Sequence, residues 1–450
     1  MTSTTDAGAA GRSRSASPPL NWGVCAGVTF LGSVLLWADR TNFSVAAAAW
    51  AKQYGWTPST IGTMLSAFSL GYLLIQPLGG WIADRIGPRR TTAFSMAAWS
   101  LWVLLTPIAP AILWLTGSFR VLLGASEAPY IPASAAAVAK AIPSDTRRGK
   151  FTAFMQSGAQ LGPAVGVFFA GLILSTTGSA AMIFIIFGGV GLAGAAAWWG
   201  YARRFSDPAP VGQHADTAEA KARAAHPPVP YRKLLSTPAL WPFYVGYFAL
   251  PYCQYIFLAW LPQYLSNYRH IPLVQASLLS ALPFITAFVA VNFAGWGMDW
   301  FARNGWRKGA FHRKFFIALG ALIYAVTTLI AATTDSTTVA VTMIVIANAG
   351  LSFYVIPYWT ICTDIAPQQT GALSGLMNFF GICGATISPW LSGVIAQATG
   401  AFVAPLELAV AIMLVASTTM IVLFRVVPLG ELVGGTPDSL APHPATRGGA

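Results

Sequence analysis

Charge is what this chain has least of. Of its 450 residues only 9% are Asp, Glu, Lys or Arg, where a soluble protein of that length carries about a quarter. The scarcity excludes a soluble globular domain, and a mean hydropathy of +0.60 points the same way. Cysteine is sparse too. Cys25, Cys253, Cys362 and Cys383 lie singly in apolar stretches with no CxxC or Cys/His spacing, so no metal site and no disulfide framework is expected. His214, His226, His270, His312 and His443 all fall in predicted loops or tails, which argues against a histidine proton relay. Residues Met1–Leu20 are rich in Ser, Thr and Ala and lack the apolar core of a signal peptide, leaving targeting to the first membrane helix. No nucleophile–base pair and no sensor domain is apparent, so an enzyme or a receptor is not expected, and no cofactor either.

What fills the sequence is apolar helix. Hydropathy and loop signals give twelve spans, near 23–49, 59–82, 92–112, 114–139, 151–175, 180–202, 240–265, 274–299, 314–333, 337–363, 370–398 and 402–427. The expected fold is therefore an all-α membrane protein of twelve transmembrane helices in two pseudo-symmetric six-helix bundles. Residues 1–22 read as a disordered N-terminus, 23–204 as the first bundle, 205–236 as a polar linker, 237–428 as the second bundle and 429–450 as a tail. Seventeen Trp and 43 Gly suit membrane helices, with aromatic anchors at the interfaces and small residues at crossings.

The basic balance is a matter of orientation. Of the 26 Lys and Arg, Lys52 and Arg269 lie in loops of one side and Arg40 and Arg120 inside helices. The rest gather at the termini and in alternate loops. By the positive-inside rule both termini are cytoplasmic, in a multi-pass protein of the cell's inner (plasma) membrane. A net charge of +12 is then no nucleic-acid footprint. The expected partner at this stage is the lipid bilayer, with the chain a monomer.

An internal repeat supports two halves. Gly149-Lys-Phe-Thr-Ala-Phe-Met-Gln156 matches Gly371-Ala-Leu-Ser-Gly-Leu-Met-Asn378 without a gap, and the same offset carries Gly162 to Gly384, Gly171 to Gly393 and Gly178 to Gly400. A weaker echo pairs Gly80-Trp81-Ile82-Ala83-Asp84 with Gly295-Trp296-Gly297-Met298-Asp299.

The few charges inside the spans carry the function. Asp39-Arg40 interrupts the first span, where a charge costs several kcal/mol and needs a partner. Neighbours on a helix point about 100° apart, so these two do not neutralise each other face to face. The fourth span carries Arg120 and, seven residues on, Glu127, which share a face about 10.5 Å apart. Arg offers a planar fork for a carboxylate, and a buried carboxyl can gain and lose a proton as its surroundings change. Tyr252, Tyr255, Phe257 and Trp260 form an aromatic stripe read mainly as helix packing, with one or two free to stack on substrate. Asn348 and Thr360 are equally site residues or interhelical bonds. Pro129, Pro132, Pro251, Pro283, Pro357 and Pro389 mark breaks or kinks.

The loop Gly80-Trp81-Ile82-Ala83-Asp84-Arg85-Ile86-Gly87-Pro88-Arg89-Arg90 resembles the G-x-x-x-D-R-x-G-x-R-R signature of the major facilitator superfamily, and with the spans and the repeat the resemblance covers nearly the whole chain. Asp84 with Arg85, Arg89 and Arg90 would then be a gate that changes partner between conformations. Asp39-Arg40-x-Asn42, Arg120 with Glu127-Ala-Pro129, and Trp260-Leu-Pro-Gln-Tyr-Leu265 resemble the anion:cation symporter family within it. That family holds galactonate, glucarate, hexuronate and phthalate symporters, and the resemblance implies proton-coupled uptake of an organic carboxylate. Asp39 and Glu127 would exchange protons, with protons the only coupling ion. Arg40 and Arg120 would meet substrate or hold Glu127, and Tyr72, Gln156 and Asn378 would bind its polar groups. A sugar acid is the leading substrate class; aromatic or dicarboxylic acids, and less so proton-driven drug export, are the alternatives.

Overall fold

The computed structural model describes residues 22–141, 145–203, 229–304, 311–367 and 369–434. Within these, residues 138–141 and 145–156 and a few others are described by their backbone alone. The expected N-terminal stretch and most of the expected linker and tail lie outside the described residues. Among the described residues there is no β-strand.

The first half is built from α1 (Trp22–Tyr54), α2 (Pro58–Ile86), α3 (Pro88–Leu105), α4 (Leu113–Glu127), α5 (Tyr130–Ala141), α6 (Asp145–Thr177) and α7 (Ala180–Ala202). Helices α4 and α5 are one span broken at Ala128-Pro129, as a proline without a backbone N–H dictates. The second half holds α8 (Trp241–Gln263), α9 (Leu273–Leu279), α10 (Leu282–Arg303), α11 (Phe311–Thr333), α12 (Thr337–Ile365), α13 (Thr370–Thr399) and α14 (Val403–Leu423). There α9 and α10 share a span, parted just before Pro283. Twelve spans result, six in each half. His312, expected in a loop, instead lies in the first turn of α11 and is buried.

Helix starts and stops follow local chemistry. The Thr57 hydroxyl accepts from the Thr60 amide at 3.2 Å and Pro58 opens α2, while the Ser336 hydroxyl accepts from the Val339 amide to start α12. Between α2 and α3 the chain turns on Gly87 at φ +98, a backbone angle that a side chain resists. That glycine belongs to the Asp84-Arg85 signature.

Nine helical segments among the described residues are long and apolar enough to cross a membrane. The three spans outside that set are α1, α4 with α5, and α8. They are the spans that carry buried charge or a dense run of tyrosine, and they build the site.

Glycines let helices meet backbone to backbone. Gly71 packs on Val121 and Gly124 on Phe68, which locks α2 to α4. Gly162 and Gly166 of α6 sit against Trp37, Ala38 and Thr41 of α1. The two halves touch the same way at the end remote from the basic loops, here the far end. A Cβ on Gly62 of α2 would lie 2.5 Å from Pro389 O of α13, and Gly393 of α13 packs on Pro58 O and Gly62. Beside them the Trp390 amide donates to Ser66 Oγ at 2.9 Å, and the Ser59 amide to Gln397 Oε1 at 3.1 Å. The second seam joins Gly171 of α6 to Ser277 of α9, where a Cβ on the glycine would be 2.8 Å from Ser277 Cβ. The seams are copies of one another. The offset of the main repeat carries Gly171 to Gly393, and that of the weaker echo carries Gly62 to Ser277.

Candidate functional site

Helices α1, α4 and α8 converge on the guanidinium of Arg40, which is 3% exposed. Its Nε and Nη2 both donate to Glu127 Oε2 of α4 at 3.3 Å, and its Nη1 donates to the Tyr255 hydroxyl of α8 at 3.0 Å. One side chain thus holds a carboxylate of its own half and a phenol of the other. Aromatic rings wall the cation, with Trp37 4.1 Å, Tyr72 4.9 Å and Phe68 5.2 Å from it to the ring centroid. Such contacts are worth about 2 kcal/mol when desolvated. Trp37 precedes Arg40 by three residues, the helical spacing that brings a ring beneath a neighbour's head group.

Two buried polar atoms beside this cation find no protein partner: Glu127 Oε1 and Trp37 Nε1. An unsatisfied buried group costs about 1–3 kcal/mol. The site therefore offers one acceptor and one donor to whatever enters it.

Asp39 and Arg40 diverge as adjacent helical residues must. Asp39, also 3% exposed, accepts from Asn42 Nδ2 at 2.9 Å, and Arg120 is the cation close enough to act on it electrostatically. The guanidinium of Arg120 lies 4.2 Å from the ring of Phe43 and 5.1 Å from that of Phe68, with Nε directed at Met64 O at 3.4 Å. The close α2–α4 crossing at Gly71 and Gly124 sets that reach. The seven-residue spacing of Arg120 and Glu127 thus gives a shared face but no bond between them. By hydrogen bond the charges sort into two nests, Arg40–Glu127–Tyr255, facing the other half, and Asp39–Asn42; Arg120 bonds neither carboxylate and lies within electrostatic reach of both Glu127 and Asp39.

Tyr72 reaches the Arg40 nest, its ring 4.9 Å from the guanidinium. The amides do not share its level. Gly162 and Gly166 sit beside Trp37 and Thr41, so Arg40 is level with about Gly166, and Gln156 lies ten residues or about 15 Å nearer the basic end. The side chain of Gln156 lies outside the described residues. Asn378 is half-buried on α13, ten residues before Ser388, whose hydroxyl donates to Tyr252 O. It too is about 15 Å toward the basic end. Asn348 and Thr360 are taken up by backbone carbonyls, Asn348 by Pro283 O at 2.7 Å and Thr360 by Pro357 O at 2.9 Å. At the basic end Asp84 is exposed at the close of α2, Arg85 stacks on Trp81 at 5.1 Å, Arg89 donates to Ala202 O, and Arg90 is exposed on α3. No group of three His, Cys, Asp or Glu able to hold a metal occurs among the described residues.

Sequence reasoning undervalued Tyr255 and passed over Trp37 and Phe68. Tyr255 was visible only as a member of an aromatic stripe. Its partner lies in the other half of the chain, which helical periodicity cannot reveal.

Comparison with known proteins fits this geometry. The sequence pattern of the Major Facilitator Superfamily matches residues 29–381. The chain is 30% identical over 388 residues to a D-galactonate transporter of Escherichia coli, covering 82% of this chain and 88% of that one. It is 28% identical over 384 residues to the chloroplastic sodium-dependent phosphate transport protein 1 of Arabidopsis thaliana, covering 84% and 74%. Against the chloroplastic ascorbate transporter of the same plant it is 28% identical over 397 residues, covering 86% and 73%. Among solved structures, a bacterial homolog of the human lysosomal transporter Spinster superposes with a TM-score of 0.73 at 17% identity, covering 89% of this chain and 96% of that one. A D-xylose–proton symporter superposes with 0.70 at 14% identity, covering 90% and 98%.

Proposed function

Because the chain belongs to the major facilitator superfamily, we propose that it is a proton-coupled symporter that imports an organic carboxylate by alternating access. The observation that carries this is the bond from Arg40 Nε and Nη2 to Glu127 Oε2, with Oε1 unpartnered. A substrate carboxylate would need the same edge of the guanidinium that Glu127 occupies. Protonating Glu127 weakens its hold and releases that edge; loss of substrate restores the internal pair and favours release of the proton. Coupling then needs no metal and no cofactor. Asp39, bonded to Asn42, is the second proton site, and Arg120 serves as a counter-charge to both carboxylates.

The substrate is a sugar acid in the leading reading, supported by the 30% identity to a D-galactonate transporter. The aromatic walls of Arg40 favour the second reading, an aromatic acid. The basic end faces the cytoplasm of a bacterial-type inner membrane, with both termini there and the chain a monomer, and the exposed Asp84 with Arg85, Arg89 and Arg90 gates that end.

The test is uptake into proteoliposomes under an imposed proton gradient, with labelled D-galactonate, D-glucuronate and phthalate as probes. At least one should accumulate in a gradient-dependent way, and Arg40→Ala should abolish it while the protein still reconstitutes. Uptake of normal rate through the Arg40→Ala variant would sink the anion-clamp assignment.

A further inference from the structure

Arg40 Nη1 is where the charged nest of the first half meets the second, and it meets it at the hydroxyl of Tyr255. Tyr255 is 5% exposed, and a ring there could pack with its hydroxyl idle. Its neighbour Tyr252, equally buried, has a hydroxyl with no protein partner. The helix does not compel the bond that Tyr255 makes.

Five residues further along α8, Trp260 Nε1 donates to Pro389 O at 3.1 Å, and its ring lies where a Cβ on Gly393 would be 3.0 Å from Cζ2. Pro389, Trp390 and Gly393 form the α13 side of the far-end seam against Gly62 and Ser66 of α2. One continuous helix therefore carries both the phenol that touches Arg40 and the indole that braces the seam.

We infer that Tyr255 is a positioning residue that couples the state of Arg40 to closure of the far end. This rests on the transporter reading. While Arg40 keeps Glu127 on its Nε/Nη2 edge, Nη1 is aimed at Tyr255 and the halves are held together. When the Arg40–Tyr255 bond breaks in the empty carrier, α8 with Trp260 is released from the first half, the return step an importer needs before substrate arrives from the far side. Through α8 the seam loosens without substrate touching it.

The experiment reads the far end directly and uses no substrate. Ser277 is fully buried at the second seam and its hydroxyl bonds its own helix at Leu273 O, so Ser277→Cys is a conservative reporter. A membrane-impermeant maleimide, applied to the far side of oriented vesicles and corrected for the four native cysteines, labels it only when the seam opens. Tyr255→Phe should raise the labelling rate about tenfold, the size expected for one buried hydrogen bond to a charged group. Tyr252→Phe should leave it unchanged. In a Glu127→Gln background the Tyr255→Phe effect should differ by about threefold or more, because both act through Arg40. Unchanged labelling in Tyr255→Phe overturns the inference, as does an equal rise in Tyr252→Phe. The same ratio in both backgrounds overturns it too. None of these outcomes touches the transport reading, which stands or falls on Arg40→Ala and uptake.

Discussion

Adding a single methyl group at Gly393 should prop the far end open. A Cβ there would meet Pro58 O well inside contact distance, Trp260 Cζ2 at 3.0 Å and Gly62 Cα at 3.2 Å. Ordinary carbon contacts lie at about 3.5–4.0 Å. Two of the three neighbours are backbone of α2 and cannot rotate away, so the helices must part by roughly an ångström. Overpacking of this kind costs about 1–3 kcal/mol, and it falls on the far-closed state alone. The gain in helix propensity from Gly to Ala, about 1 kcal/mol, applies to both states and cancels. The closed-to-open ratio should then drop by between about fivefold and about 150-fold. Maleimide labelling of Ser277→Cys, at the seam on the other side of the molecule, should rise by that factor in a Gly393→Ala background. Gly200, with open space around it, provides the matched control, and Gly200→Ala should change nothing. If Gly393→Ala labels no faster than its parent, the seams do not close as one unit and the reasoning fails.

Other expected outcomes follow from single contacts. Glu127→Gln should abolish substrate-induced proton movement in proteoliposomes while Arg40 still binds carboxylate; proton flux at the parent rate would refute its coupling role. Arg269→Ala should lower the melting temperature by a few degrees, because its guanidinium bonds Tyr264 Oη, Thr334 O and Ala331 O and so caps the end of α11. Uptake should survive that change, and an unaltered melting temperature would count against the cap. Gly124→Val should destabilise by about 2 kcal/mol or more, since Phe68 O and Tyr72 N leave no space for a side chain, and detergent-solubilised protein of normal stability would contradict the α2–α4 crossing.

The fold was legible because a membrane leaves few choices. Backbone polar groups must be satisfied inside each span, so the length and spacing of apolar runs determined the helices. The repeat matched Gly171 to Gly393, but that these glycines form the far-end seams became visible only in the structure. The charged pair in the first span was legible for a similar reason, since Asp39 and Arg40 stand out against apolar neighbours. Their division into two nests also follows from helical geometry. What failed to show was pairing across helices. Arg120 and Glu127 share a face, yet Glu127 is held by Arg40 from another helix, because depth and rotation are set by the glycine crossings rather than by spacing within α4. The amides Gln156 and Asn378 did correspond between halves, as the repeat requires. Correspondence fixes their height to each other and not to Arg40, and they lie some 15 Å away by helical rise.

The two seams described above also have a practical side. At each a glycine packs directly against the other half, so those positions resist substitution by anything larger. A chain altered at either seam would be biased to stand open at the far end with its Arg40 nest intact. Such a variant would hold one conformation with the nest reachable from that face, and would serve as the bait for raising binders or blockers that act there.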